Sequence, residues 1–382
     1  MTSRLRTPLT LACSSLIFVL NSCRKNDATL SADQASTSVI SSPVVLDLLP
    51  AQNQSAGDRR LFMPVVQVGT NKTGFTLIFD TGSEGIVFSA TALFPASLIA
   101  DTGMVINSPD SAVIDGITIT SVKVSSTYGE PPATRTFYGN IAYASMVLGD
   151  QAGSVITERL PFMLVYKGVN NQTGAAVAVD SSSNGIAGVI SSGFTAGEAS
   201  AIVTTRANIK SPLNYLDYSG NVYAGFMLEP LSGIGWTATP SNATTPASKL
   251  LTIGLTQATE SGFSLQTQRL DAGNVYDPDI VGTIGYNSQS IANSSVVFDT
   301  GTPVGFDIYN ASEGGSTQLP AGEAVQLSTG QGFDYSYTTD AVIYQTIVSS
   351  TGQTRSIFGI DFFLNNYYLL DYTNHYIGLK SL

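Results

Sequence analysis

The sequence predicts a mainly β protein, and three observations carry that expectation. From Val44 onward the chain is built of short apolar or alternating runs of four to nine residues, broken by Gly, Asn, Asp and Ser. That is the pattern of strands and turns. The composition agrees, because 36 Gly, 16 Pro, 17 Tyr and 17 Phe suit strands and turns better than helices. Helical patterns are scarce, and the best of them spans Ala196 to Ala207. The clearest strand runs are Leu61 to Val68, Phe75 to Phe79, Asn140 to Leu148, Ser295 to Phe298 and Tyr367 to Leu370. At 382 residues the chain has room for two domains or lobes. Such a length also buries a core without disulfide or metal staples.

The amino terminus is read separately. Arg4 and Arg6 make a basic start, and Pro8 to Leu20 is an apolar stretch of 13 residues. That is shorter than the ~20 residues needed to span a bilayer, and it fits an export signal. Leu20-Asn21-Ser22-Cys23 resembles a bacterial lipobox, although Asn21 is an unusual occupant. Residues 1–22 are therefore expected to be a lipoprotein-type signal peptide, with Cys23 acylated at the start of the mature chain. Residues 23–43, rich in Ser, Ala, Thr and Asp, read as a flexible tether. The alternative is an ordinary secretory signal with a chance cysteine. On the lipobox reading the protein is exported and lipid-anchored to a bacterial membrane, the outer one, facing periplasm or exterior. Cys13 leaves with the signal and Cys23 is consumed by acylation, so no disulfide forms. The six Asn-x-Ser/Thr sequons read as chance in a chain this rich in those residues.

Charge and histidine content exclude several functions. Seventeen Lys and Arg against 28 Asp and Glu give a net charge of −11, which argues against a nucleic-acid partner. There is one histidine, His375. A Ser-His-Asp triad, a Cys-His pair or a multi-histidine zinc site would have to be built around it alone. A serine hydrolase using Ser83 lacks both a G-x-S-x-G elbow and a credible base. Chemistry is left to carboxylates.

The carboxylates are found in an internal repeat. Phe75-Thr76-Leu77-Ile78-Phe79-Asp80-Thr81-Gly82-Ser83 recurs as Ser295-Val296-Val297-Phe298-Asp299-Thr300-Gly301-Thr302. Each copy is an apolar strand running into Asp-Thr-Gly-Ser/Thr. Each is followed downstream by an apolar-apolar-Gly tripeptide, Ile186-Ala187-Gly188 and Ile357-Phe358-Gly359. A strand ending this way delivers a carboxylate where the chain turns, and the glycine permits close backbone approach. Two copies can bring two carboxylates face to face. Like charges a few ångström apart cannot both ionise, so one keeps its proton and the pair works as an acid-base couple.

These residues resemble the pepsin-like aspartic peptidases, from about Leu61 to Leu382. Phe75 to Ser83 and Ser295 to Thr302 resemble the two catalytic strand-turns, and Asn184 to Gly188 the segment beside the first aspartate's loop. Ile357 to Leu379 is similar to the family's C-terminal signature. Tyr128-Gly129 with Gly139 to Gly149 resembles the flap hairpin, its tip lengthened by Glu130-Pro131-Pro132. The resemblance implies a bilobal fold with a cleft between pseudo-symmetric lobes, here 44–235 (with the flap) and 236–382. It implies an endopeptidase with catalytic Asp80 and Asp299, supported by Thr81, Gly82, Ser83, Thr300, Gly301 and Thr302. Tyr128, Gly129 and Ile186 would meet a peptide or protein substrate, with no metal or organic cofactor, in a monomer. The alternative is a catalytically silent pepsin-fold module that binds peptides or proteins. Four departures stand out: Val87 replaces the tryptophan that supports the flap tyrosine, and the only Trp is Trp236. Ile360 replaces an aspartate, with Asp361 one place later, Pro303 follows the second motif, and the family's disulfides are absent. Val87 predicts a looser flap, and His375 is expected to be a surface or turn residue.

Overall fold

Both faces of the motif strands are apolar because both faces are covered. In the computed structural model, which describes residues 36–52, 58–129, 134–178, 183–190, 209–237, 248–270, 276–352 and 354–382, strands are the dominant element. The strand Asn71–Ser89 sends Leu77 and Phe79 into the main core and Ile78 into a second apolar cluster with Phe62, Val87, Phe137 and Ile186. Alternate side chains leave a strand on opposite faces, so a strand buried on both sides reads as a continuous apolar run. The strand Gln289–Phe298 behaves likewise at Val296, Val297 and Phe298, all buried. The single α-helix among the described residues is the one turn Ala90–Leu93. No helix among them is long and apolar enough to cross a membrane. The pattern at Ala196 to Ala207 lies outside the described residues.

Two large open sheets hold the fold together. The larger has 15 strands. One end carries Ser264–Thr267, Tyr376–Ser381, Asn366–Asp371, Tyr223–Leu228 and Ser248–Leu255. The path continues through Val44–Gln52, Arg59–Val68, Asn71–Ser89, Leu160–Asn170, Arg135–Ala144, Ile117–Tyr128 and Ser111–Ile114. Strands from both sides of residue 235 therefore share one sheet. Residues Ala35–Leu382 form one compact unit. The second sheet has eight strands, ordered Ser316–Gln318, Thr346–Ser349, Phe306–Tyr309, Ser356–Phe358, Gln289–Phe298, Asp279–Tyr286, Ala324–Thr329 and Asp334–Thr338.

Strand boundaries depart from the sequence pattern in two places. The run Phe75 to Phe79 is the middle of a much longer strand, Asn71–Ser89, which runs on past the Asp-Thr-Gly turn and pairs with Gly185–Ile190 on both sides of it. The run Asn140 to Leu148 is two strands, broken at Ser145. Arg135–Ala144 pairs with Leu160–Asn170, whereas Met146–Gly149 crosses to Arg59–Val68. The change of partner needs a turn, and the Thr157 hydroxyl accepts the Met146 N–H there at 2.9 Å.

The same local arrangement occurs twice. Gly185–Ile190 runs parallel to the first arm of Asn71–Ser89 (Ile186 opposite Ile78) and opposite to its second arm (Ile186 opposite Val87, Gly188 opposite Gly85). Ser356–Phe358 runs parallel to Gln289–Phe298 and antiparallel to Phe306–Tyr309. In each copy a short strand carrying the apolar-apolar-Gly signal threads between the two arms that flank an Asp-Thr-Gly turn.

Candidate functional site: two facing Asp-Thr-Gly loops

The two turns are bonded to each other through their threonines. Thr81 Oγ1 donates to the Phe298 carbonyl at 2.8 Å, and Thr300 Oγ1 donates to the Phe79 carbonyl at 2.6 Å. Each hydroxyl also accepts the other's backbone N–H, Thr81 to Thr300 at 3.1 Å and Thr300 to Thr81 at 2.9 Å. Both threonines are fully buried. Threonine is suited to this position because its hydroxyl can donate and accept together while its methyl packs. The four bonds lock two chain segments about 220 residues apart into one frame.

That frame sets the carboxyls facing each other. Asp80 Oδ1 accepts the Gly82 N–H at 2.8 Å and its Oδ2 accepts the Ser83 hydroxyl at 2.7 Å. Asp299 receives the matching pair from Gly301 N–H and Thr302 Oγ1, both at 2.7 Å. The glycines are required by the close approach. A Cβ on Gly82 would fall 2.5 Å from the Asp299 carboxyl, and one on Gly301 would fall 2.6 Å from that of Asp80. Each carboxyl therefore lies against the glycine of the opposite turn. Burial pushes the Asp80 pKa well above the usual carboxylate range, and the neighbouring Asp299 charge pushes it further. The bonds from Ser83 and Gly82 pull the other way and are outweighed. One proton shared by two carboxyls is the state this geometry favours, and such a pair can give a proton and take one at the same time.

The loop of Asp299 is held by Arg59 and Arg60, which lie outside the Asp-Thr-Gly motifs. Arg59 Nη1 forms an ion pair with Asp361 Oδ1 at 2.5 Å, and Asp361 Oδ2 accepts the Gly305 N–H at 2.8 Å. Burial raises the Asp361 pKa to about 6, against the lowering pull of Gly305 and Arg59. Arg59 also donates its backbone N–H to the Pro303 carbonyl and lies 5.6 Å from the centre of the Trp236 ring. Its neighbour Arg60 donates to the Gly301 carbonyl. The displaced Asp361, Pro303 and Trp236 were the sequence signals for this cluster. Nothing in the residues near Arg59 and Arg60 foretells contacts more than 240 positions away.

The remaining residues are placed as follows. Tyr128 ends the strand Ile117–Tyr128, half-buried, its ring centroid 5.7 Å from that of Phe137. It packs against the cluster that contains Ile186 and Val87, both buried. Gly129 follows with a φ of 83°, and the tip 130–133 lies outside the described residues, as does Cys23. His375 sits in the turn before Tyr376–Ser381 with a φ of 60°, half-buried and stacked on Tyr276 at 3.6 Å between centroids. Among the described residues no group of three or more His, Cys, Asp or Glu side chains is gathered to hold a metal ion. In comparisons with known proteins, the chain matches no protein-family model and no curated protein, so the reading of this site rests on its own geometry.

Proposed function

We propose that the protein is an aspartic endopeptidase with a bilobal, pepsin-like fold, its halves 44–235 and 236–382 flanking a cleft. The observation that carries this reading is the reciprocal bonding of the two loops, which leaves Asp80 and Asp299 facing across a pseudo-symmetric frame. A water held between the carboxyls is the nucleophile. As its oxygen attacks the scissile carbonyl carbon, one carboxylate takes a proton from the water and the other carboxyl gives its proton to the carbonyl oxygen. When the C–N bond breaks, the carboxyl that took the water's proton gives it to the leaving nitrogen while the other carboxylate takes a proton from a hydroxyl of the tetrahedral diol, so the pair ends singly protonated as it began. The chemistry needs no metal or organic cofactor. An extended peptide is the substrate, paired to the Tyr128 hairpin by strand addition, with Tyr128 and Gly129 over it and Ile186 beneath. The protein works as a monomer, exported and tethered to the membrane through an acylated Cys23.

The test is digestion of a denatured protein mixture between roughly pH 3 and 7 by wild type, Asp80→Asn and Asp299→Asn. Wild type should cleave with an acid-side bell, and either substitution should cost about 10⁴-fold or more, because the pair acts as a unit. Cleavage that survives Asp299→Asn overturns the mechanism. Tight binding of a hydroxyl-bearing peptide analogue with no cleavage at any pH assigns the fold to a binding module instead.

A further inference from the structure

The two carboxyl cradles are alike in hydrogen bonds and unlike in charge. Each aspartate accepts one glycine N–H and one hydroxyl, at 2.7 to 2.8 Å. In the Asp299 loop, however, the Arg60 guanidinium bonds to the carbonyl of Gly301, the same residue whose N–H holds the Asp299 carboxylate. Among the described residues no cation makes the matching bond to the Gly82 carbonyl in the Asp80 cradle. Arg60 is held in place by its neighbour, since Arg59 bonds to Pro303 through its backbone and to Asp361 through its side chain. One-quarter of the Arg60 side chain is exposed, so solvent screens its charge only in part.

We propose that Arg60 is a positioning residue that decides which member of the pair is ionised, making Asp299 the carboxylate and leaving the shared proton on Asp80. The proposal rests on the dyad reading and deepens it. With this assignment Asp299 takes the proton from the attacking water, and Asp80 gives its proton to the carbonyl oxygen. A nearby positive charge favours the ionised form of a carboxyl. The other groups facing Asp299 leave the assignment intact. Asp80 opposes it from the facing loop, and its own carboxyl is buried, which favours the protonated form there. Tyr368, on the strand Asn366–Asp371, is a buried phenol kept neutral by burial and by the Asp299 charge. Asp361 is matched by Arg59. Asp58 Oδ1 lies 3.8 Å from Arg60 Nε, beyond hydrogen-bond distance, whereas Arg60 bonds directly to the Gly301 carbonyl, so Asp58 offsets its charge only in part.

The experiment follows carboxyl-carbon NMR titrations of the full chain labelled at aspartate, with Asp80→Asn and Asp299→Asn isolating each partner. Adding Arg60→Gln to Asp80→Asn should raise the Asp299 pKa by about one pH unit. Adding it to Asp299→Asn should move Asp80 by clearly less. Arg60→Lys, which keeps the charge, should retain most of the wild-type value. In the otherwise native protein, the acidic limb of the kcat/KM profile should shift upward with Arg60→Gln and return with Arg60→Lys. An Asp299 titration unmoved by Arg60→Gln, or a shift as large at Asp80, overturns the proposal. So does an Arg60→Lys shift equal to that of Arg60→Gln, since Arg60 would then act by shape alone. If Arg60→Gln does not fold, Arg60→Lys decides: a near-native Asp299 pKa supports the proposal and a full-unit shift refutes it. If wild type cleaves nothing while the titrations shift as stated, the peptidase reading falls and the charge assignment stands.

Discussion

Replacing Thr300 with valine tests whether the frame between the two loops depends on hydroxyls or on packing. Valine keeps the shape of threonine and substitutes a methyl for Oγ1. Two bonds disappear, the donation to the Phe79 carbonyl at 2.6 Å and the acceptance of the Thr81 N–H at 3.1 Å. Thr300 and Thr81 are 0% exposed, so water cannot take over either role. A buried polar group left without a partner costs about 1–3 kcal/mol. Two such groups put Thr300→Val at about 2–6 kcal/mol, a large share of the ~5–15 kcal/mol that separates folded from unfolded chains. Thr81→Val removes the mirror-image pair of bonds and should cost a similar amount. The control is Thr300→Ser, which keeps the hydroxyl and loses a methyl, at about 1 kcal/mol. Urea denaturation of the three variants, compared by midpoint at unchanged slope, is the assay. If burial of apolar surface were what mattered, valine would be tolerated and serine would not. A Thr300→Val variant within about 0.5 kcal/mol of wild type, or less destabilised than Thr300→Ser, refutes the reasoning.

Two further outcomes are expected. Asp80, Asp279, Asp307 and Asp361 all have carboxyl pKa values raised, chiefly by burial, Asp361 to about 6. A carboxyl whose folded pKa is raised holds a proton in the folded state that the unfolded chain has lost. Its contribution is therefore full below the unfolded value near 3.8 and is lost as pH rises through the folded one. Thermal melts should show the protein more stable at pH 4–5 than at pH 7, and a melting temperature that climbs steadily across that interval would contradict the burial argument. Mass spectrometry of membrane-extracted protein should find the mature chain beginning at a lipidated Cys23, and a soluble product starting elsewhere rejects the anchor.

Local chemistry made much of this protein legible from its residues. Strand character follows from side-chain alternation and from turn residues, both of which act within a few positions, so the mainly β class could be read directly. The Asp-Thr-Gly-Ser and Asp-Thr-Gly-Thr turns could be found for the same reason. Their carboxylate bonds to Gly82, Ser83, Gly301 and Thr302 reach only two or three residues along the chain. The strand limits were less legible, because Asn71–Ser89 continues past its turn only where Gly185–Ile190 lies between its arms.

What remained belonged to the tertiary structure. Thr81 meets the Phe298 carbonyl across 217 positions, Arg60 meets Gly301 across 241 and Arg59 meets Asp361 across 302. No pattern in a single sequence encodes such pairings, because a long guanidinium or a small hydroxyl carries no mark of the distant carbonyl it will face. The sequence alone determined that two carboxylates would follow two apolar runs at tight turns. Only the fold decided that these turns share one buried frame, and that Arg60 bonds to the Gly301 carbonyl of one turn while, among the described residues, no cation bonds to the Gly82 carbonyl of the other. The charge of a buried carboxyl is set by every group packed around it, and those neighbours are assembled only when distant strands come together.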